Sequence, residues 1–296
     1  MKVSAFSKLH PFSSFLYFIL LFCSGAFTMH PCFIALSFIG ALIFALCLRG
    51  AEILKKWYLL LFPLLTAAAV NFLFNHRGRT KLCYLPSGNA LTLEALVYGL
   101  ASGVMLSAVM IWCYCFYKTF SSDKLMCLTG KIFPALTVML SMTLRAIPLT
   151  VRRFREISDA RSQIGRGPRD GSIVQRLRNL AAIFSILITR SLESSVVTAD
   201  SMKSRGYGLP GRTSFDRFRF TIKDILFVLV SVWLFAAALF GLLNDGAVFR
   251  YYPAFYFSEI GVTGVVELAG FGSLCFLPGI YELLEEVRWR LLISSL

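Results

Sequence analysis

The chain has 296 residues, of which 57% are hydrophobic and only 16% charged, with a mean hydropathy of +0.69. A soluble domain carries about 25% charged residues, so disorder, a coiled coil and an ordinary soluble enzyme are excluded. Lys and Arg number 30 against 16 Asp and Glu, and the stretch from Lys118 to Lys223, with 19 basic and 7 acidic residues, holds +12 of the net +14.

Several stretches run with almost no charge for roughly the 20 residues that cross about 30 Å of hydrocarbon. The first, Phe12 to Phe27, follows Lys2 and Lys8. Its Ser24-Gly25-Ala26 run resembles a signal-peptide cleavage site, but five further spans follow and a retained helix is expected. Met29-His30-Pro31 turns the chain into a second span, Cys32 to Leu48. Arg49, Lys55 and Lys56 then mark an inner loop, and the third span is Trp57 to Phe74 with Pro63 inside it. Asn75 to Leu93 is a polar outer loop in which Leu82-Cys83-Tyr84-Leu85 reads as a short strand entering a turn. The fourth span, Ala95 to Tyr117, carries Gly99 and Gly103 at the spacing that lets another helix approach closely.

From Lys118 the character changes. The best apolar stretch, Ile132 to Leu144, is short and holds Pro134, which predicts an interfacial or bundle-packed helix. A fifth span over Ile225 to Leu243 and a sixth over Ile260 to Leu277 follow, and Arg288 and Arg290 anchor the C-terminus. The positive-inside rule then places both termini and the basic block in the cytoplasm. The expected architecture is an all-α integral membrane protein with about six transmembrane helices plus a cytoplasmic domain of long crossing amphipathic helices. Residues 1–117 form the N-terminal membrane part, 118–222 the basic domain, and 223–296 the C-terminal membrane part and tail.

Chemistry-bearing motifs are sparse. No GxxxxGK[ST] phosphate loop is present, and no catalytic set converges: Asp159, Glu193 and Asp200 are spaced as solvated charges. Cys23, Cys32, Cys47, Cys113, Cys115 and Cys275 lie in or beside apolar segments and read as buried, inert thiols. His10, His30 and His76 are too scattered for a metal cluster. Neither a metal nor a cofactor is expected. The first five spans hold no acid in their interiors; Glu267 in the sixth reads as a packing or snorkelling residue before a functional carboxylate.

The basic block repeats one pattern. Ala160-Arg-Ser-Gln163-Ile164-Gly165-Arg166-Gly167 aligns without gaps on Ala199-Asp-Ser-Met-Lys-Ser204-Arg205-Gly206. Each segment ends a helical stretch on a small residue, an arginine and a glycine. Glycine suits the left-handed position past a helix end, and the macrodipole favours a cation in the last turn. A single copy is merely a well-capped helix; two copies suggest a pair of docking tips. Between them, Ile173, Leu177, Leu180, Phe184, Leu187 and Ile188 form an apolar stripe. Ser191, Ser194, Ser195, Thr198 and Ser201 are small enough for a close helix crossing. Anionic lipid is an alternative partner for the basic block. Nucleic acid is not expected, because few aromatics interleave the arginines.

At these residues the chain resembles the transmembrane T component of energy-coupling factor transporters, bacterial ABC-type importers of vitamins and metal ions. Ser201-Met-Lys-Ser-Arg-Gly-Tyr-Gly-Leu-Pro-Gly-Arg212 is similar to that family's second Ala-Arg-Gly signature, with Ser204 in place of alanine. Leu9-His-Pro11, Asn75-His-Arg-Gly78, Leu140-Ser-Met-Thr-Leu-Arg145 and Gln175-Arg-Leu-Arg-Asn179 are further similar stretches. The resemblance implies a non-catalytic scaffold. Its coupling helices would dock on two ATP-binding cassette subunits, a homo- or heterodimer, and its membrane face would hold a substrate-capturing S component. It implies docking through Gly165, Arg166, Gly167, Ser204, Arg205 and Gly206. One register places Ile164, after Gln163, at the first docking arginine; the internal repeat favours Arg166.

Overall fold

The computed structural model describes residues 5–27, 29–50, 58–75, 78–84, 90–209, 218, 220–244, 249–252, 256–257 and 261–294. Among these, nine α-helices dominate: α1 (Pro11–Phe27), α2 (Pro31–Arg49), α3 (Tyr58–Phe74), α4 (Leu93–Thr119), α5 (Ser122–Ile132), α6 (Pro134–Gln163), α7 (Ile173–Ser204), α8 (Ile222–Leu243) and α9 (Val262–Ser294). The expected strand is β1 (Lys81–Tyr84), which pairs antiparallel with β2 (Ala90–Thr92); a second hairpin joins β3 (Phe249–Arg250) to β4 (Tyr256–Phe257). The turn expected after Tyr84 lies outside the described residues.

The chain divides into two compact units, Met1–Leu125 with Phe218–Leu296, and Met126–Arg217. In the first, α2 packs on both α4 and α9, while α3 covers α4 and α8 joins α9 to α1. The first helix pairs meet through small residues. A Cβ at Gly103 would lie 2.8 Å from the Leu64 carbonyl oxygen, and one at Gly99 would lie 3.1 Å from the Ala68 Cα, so α3 and α4 touch backbone to backbone. Across that seam Ser107 Oγ donates to the Leu60 carbonyl (2.9 Å) and Asn71 Nδ2 to Ser102 Oγ (3.3 Å).

The core of this unit is aromatic. Phe6, fully buried in a short 3-10 turn before α1, meets Tyr17, Phe18, Phe44, Phe227 and Tyr281 edge-on at centroid distances of 5.4–6.5 Å. Edge-to-face contacts of this kind add to simple area burial. Two acids hold the turn in place. Glu282 accepts from the Ala5 and Phe6 amides (3.1 and 3.0 Å), and Asp224 accepts from the His10 amide (2.8 Å) while capping α8 through the Thr221 amide (2.9 Å).

Among the described residues, six helices are long and apolar enough to cross a membrane: Pro31–Leu48, Leu93–Thr119, Ala135–Gln163, Ile173–Ser204, Ile222–Leu243 and Val262–Ile293. Four match expected spans. The other two expected spans are the shorter apolar helices Pro11–Gly25 and Leu60–Phe74, and two helices of the basic block take their places in the set. The reason is visible at Phe133. The residue before a proline avoids the helical region, so the chain breaks there (φ −133°, ψ 82°) and Pro134 opens α6 instead of interrupting a helix begun at Ile132. The apolar run then continues unbroken into the arginines as one helix of 30 residues.

The thiols are less uniform than expected. Cys115 and Cys275 are buried, but Cys23, Cys32 and Cys113 are exposed on apolar helix faces. An integral protein's outer surface is apolar because hydrocarbon, not water, is its solvent, so hydrophobic position along the chain does not separate core from lipid face.

Candidate functional site

The two expected tips belong to the second unit. Helices α6 and α7 run in opposite directions, with Arg153 Nη2 3.4 Å from Ser194 Oγ and Ile157 packed with the buried Ile183 and Leu187. Phe154 and Phe184 flank this contact at 5.9 Å. A capping box at Ser172, whose amide donates to Gln175 Oε1 (3.0 Å), starts α7. One tip therefore lies in the loop before α7 and the other at its far end. Because the first tip's loop folds back beside Asn179, the 26 residues from there to Arg205 separate the tips by about 39 Å at 1.5 Å per residue.

Both tips are built the same way. At the first, the Gly165 amide donates to the Ser162 carbonyl and the Arg166 amide to the Arg161 carbonyl, both at 3.0 Å, with Gly165 at φ +69°. At the second, the Gly206 amide donates to the Lys203 carbonyl and the Tyr207 amide to the Met202 carbonyl, again both at 3.0 Å, with Gly206 at φ +79°. This paired bonding around a left-handed glycine is the Schellman motif. It requires glycine because a Cβ collides with the backbone in that conformation.

The cap geometry changes the register between the tips. Gly165, not Gly167, is the counterpart of Gly206. Ile164 (φ −99°, ψ 16°) therefore occupies the capping position that Arg205 (φ −87°, ψ 8°) holds at the second tip. Gly167 instead folds the loop back onto α7, its amide donating to Asp170 Oδ2 (2.8 Å) and its carbonyl accepting from Asn179 Nδ2 (3.0 Å). The gapless repeat pairs arginines, whereas the hydrogen bonds pair glycines. Ile164, Arg166, Ser204 and Arg205 are exposed, as is Gln163, and neither arginine side chain has a hydrogen bond or ion pair among the described residues. The two tips thus present different chemistry: an apolar side chain at one cap and a guanidinium at the other.

The other residues expected to matter are distributed over both units. Gly99 and Gly103 sit at the α3–α4 seam. Ser191 and Ser195 bond the carbonyls of Leu187 and Leu192 on their own helix, and Ser194 is the serine that meets α6. The expected stripe on α7 is mostly uncovered: Leu187 is buried, but Ile173 is 83% and Leu177 70% exposed. Ile183, one residue off the stripe, supplies the fully buried contact instead. Asp224 and Glu282 were not among the residues expected from sequence. The Thr221-x-x-Asp224 spacing is a legible capping signal; nothing local marks Glu282. Glu94 is similar: buried at the start of α4, it accepts from the Arg79 and Thr80 amides at 3.2 and 3.1 Å.

The CbiQ family, described as cobalt transport protein, matches residues 9–215. The energy-coupling factor transporter transmembrane protein EcfT of Bacillus selenitireducens is 36% identical over 104 residues, which cover 35% of this chain and 38% of that protein. EcfT of Brevibacillus brevis is 33% identical over 100 residues, covering 33% and 38%, and EcfT of Streptococcus thermophilus is 30% identical over 93 residues, covering 31% and 35%. The chain spans less than two fifths of the length of each of these relatives. The family match covers well over half of the sequence, and the chain, a multi-pass all-α membrane protein, belongs to the CbiQ family.

Proposed function

We propose that this protein is the T component of an energy-coupling factor importer. It is a non-catalytic membrane scaffold that passes ATP binding and hydrolysis in two partner ATP-binding cassette subunits to a membrane-embedded, substrate-binding S component. The observation that carries the proposal is the pair of exposed Schellman-capped tips, one in the loop folded back beside Asn179 and the other at the C-terminal end of α7. Arg205 is the principal docking group. A guanidinium keeps its charge when partly desolvated and can bond a carboxylate through two N–H groups at once. Arg166 is the first tip's docking cation, offset from its cap, with Ile164 as the apolar contact beside it. Unequal tips favour two unlike ATPase subunits over one subunit used twice. Both termini and both tips face the cytoplasm in this arrangement.

The test is co-purification of the ATPase subunits with the full chain, together with uptake in cells. Removing one partner of a buried charge pair costs about 2–5 kcal/mol, so Arg205→Ala is expected to weaken assembly by about 30-fold or more and to reduce uptake in step. Undiminished assembly and uptake in the Arg166→Ala, Arg205→Ala double variant would overturn the proposal. The family's description as a cobalt transport protein supports a second reading, a T component dedicated to one metal-ion system. That reading expects a single S partner in the purified complex, where a shared component yields several.

A further inference from the structure

In the second turn of α9, Glu267 is 2% exposed and, among the described residues, neither of its carboxylate oxygens has a hydrogen-bond partner. It lines a cavity of about 30 Å³ together with Cys23 and Ser24 of α1, Phe33 of α2, Ala238 and Leu242 of α8, and Phe271 of α9. The Cys23 thiol is the one other titratable group on its walls among the described residues, and no cation faces it.

The side chain cannot snorkel to water as expected for a bland packing role. Gly241 presses the α8 backbone against its stem, and a Cβ at that glycine would fall on the Glu267 Cβ and lie 2.8 Å from the Thr263 carbonyl oxygen. One turn on, a Cβ at Gly270 would stand 2.9 Å from the Ala238 amide nitrogen, so the two helices are locked on both sides of the acid. An isolated carboxylate buried in apolar surroundings is so costly that the group takes up a proton instead. Ionisable groups kept within a membrane bundle mark functional positions. A cavity of this size holds one water, provided polar partners line it.

We propose that this cavity is an intramembrane proton-binding site in which Glu267 stands as the neutral acid beside a single water. Release breaks the O–H bond, leaves its electron pair on the carboxylate and passes the proton to that water. The close α8–α9 packing at Gly241 and Gly270 denies solvation to the charge so formed and holds the resting site in the neutral form. The site stands on the packing of α1, α2, α8 and α9 and is independent of the docking tips.

Infrared spectroscopy of the full chain in lipid nanodiscs near neutral pH tests this. The expected result is a carboxylic-acid carbonyl band that shifts in heavy water and disappears in Glu267→Gln, a variant isosteric with the neutral acid. Absence of such a band in the wild-type protein, or its persistence in Glu267→Gln, overturns the proposal. If Glu267→Gln does not fold, Glu267→Asp in protein carrying isotope-labelled glutamate serves: the labelled band must vanish, and its survival has the same adverse meaning.

Discussion

Arg205 and Ile164 occupy equivalent caps, yet a residue-by-residue alignment pairs Arg205 with Arg166. A string comparison rewards identical letters, while a helix end is defined by which glycine accepts positive φ. That glycine is the better target for testing the tips. Gly206→Ala is expected to lose about 1–2 kcal/mol from left-handed strain, lowering the thermal midpoint, without removing any charged docking group. A second residue-scale consequence concerns Lys124 in α5, which is 2% exposed and has no hydrogen bond to its ammonium among the described residues. Burial lowers its pKa from the usual 10.5 to about 8, an effect that the nearby Asp224 carboxylate partly opposes. Because the folded value lies below the unfolded one, the unfolded chain holds the extra proton between them. Stability is therefore expected to rise as pH increases from about 8 toward 10.5 and to carry the full penalty below that window. Thermal unfolding across that range should show the rise in the wild-type protein and its loss in Lys124→Met.

At the scale of the element, the charge-free runs that predict α1, α2, α3, α4, α8 and the first part of α9 are also where those helices form, because backbone groups in lipid must pair within the segment. The spacing of Gly99 and Gly103 made a close helix approach legible; that the partner is α3 only the structure showed. Gly103→Ala is expected to cost about 1–3 kcal/mol by overpacking, since the atom it meets belongs to the Leu64 backbone. Gly25→Ala, where a Cβ meets nothing within 4 Å, should not be destabilising in the same unfolding assay. The α7 stripe was legible as a helix but not as a core. Periodicity reports which residues share a face; it is silent on whether that face meets protein, lipid or a separate subunit.

For the whole molecule, the topology proposal makes a direct prediction. In a cysteine-free background, Arg79→Cys is expected to react with a membrane-impermeant thiol reagent on intact cells, and Tyr207→Cys only after permeabilisation. The reverse pattern would invert the assignment of the tips to the ATPase side. Composition and charge alone determined that this is a multi-pass helical membrane protein with one strongly basic region, because hydrocarbon admits uncharged helices at low cost and rejects almost everything else. The motif itself marked Gly206 as the end of the second tip, but it paired Gly167 with that glycine where the hydrogen bonds place Gly165. Only the tertiary structure decided that Ile164 shares a cap position with Arg205, that Phe6 fills the centre of an aromatic core under Asp224 and Glu282, and that Glu267 is sealed against Gly241. Each of these is a contact between segments far apart in the chain or a hydrogen-bond register, and neither is encoded in any local pattern of residues.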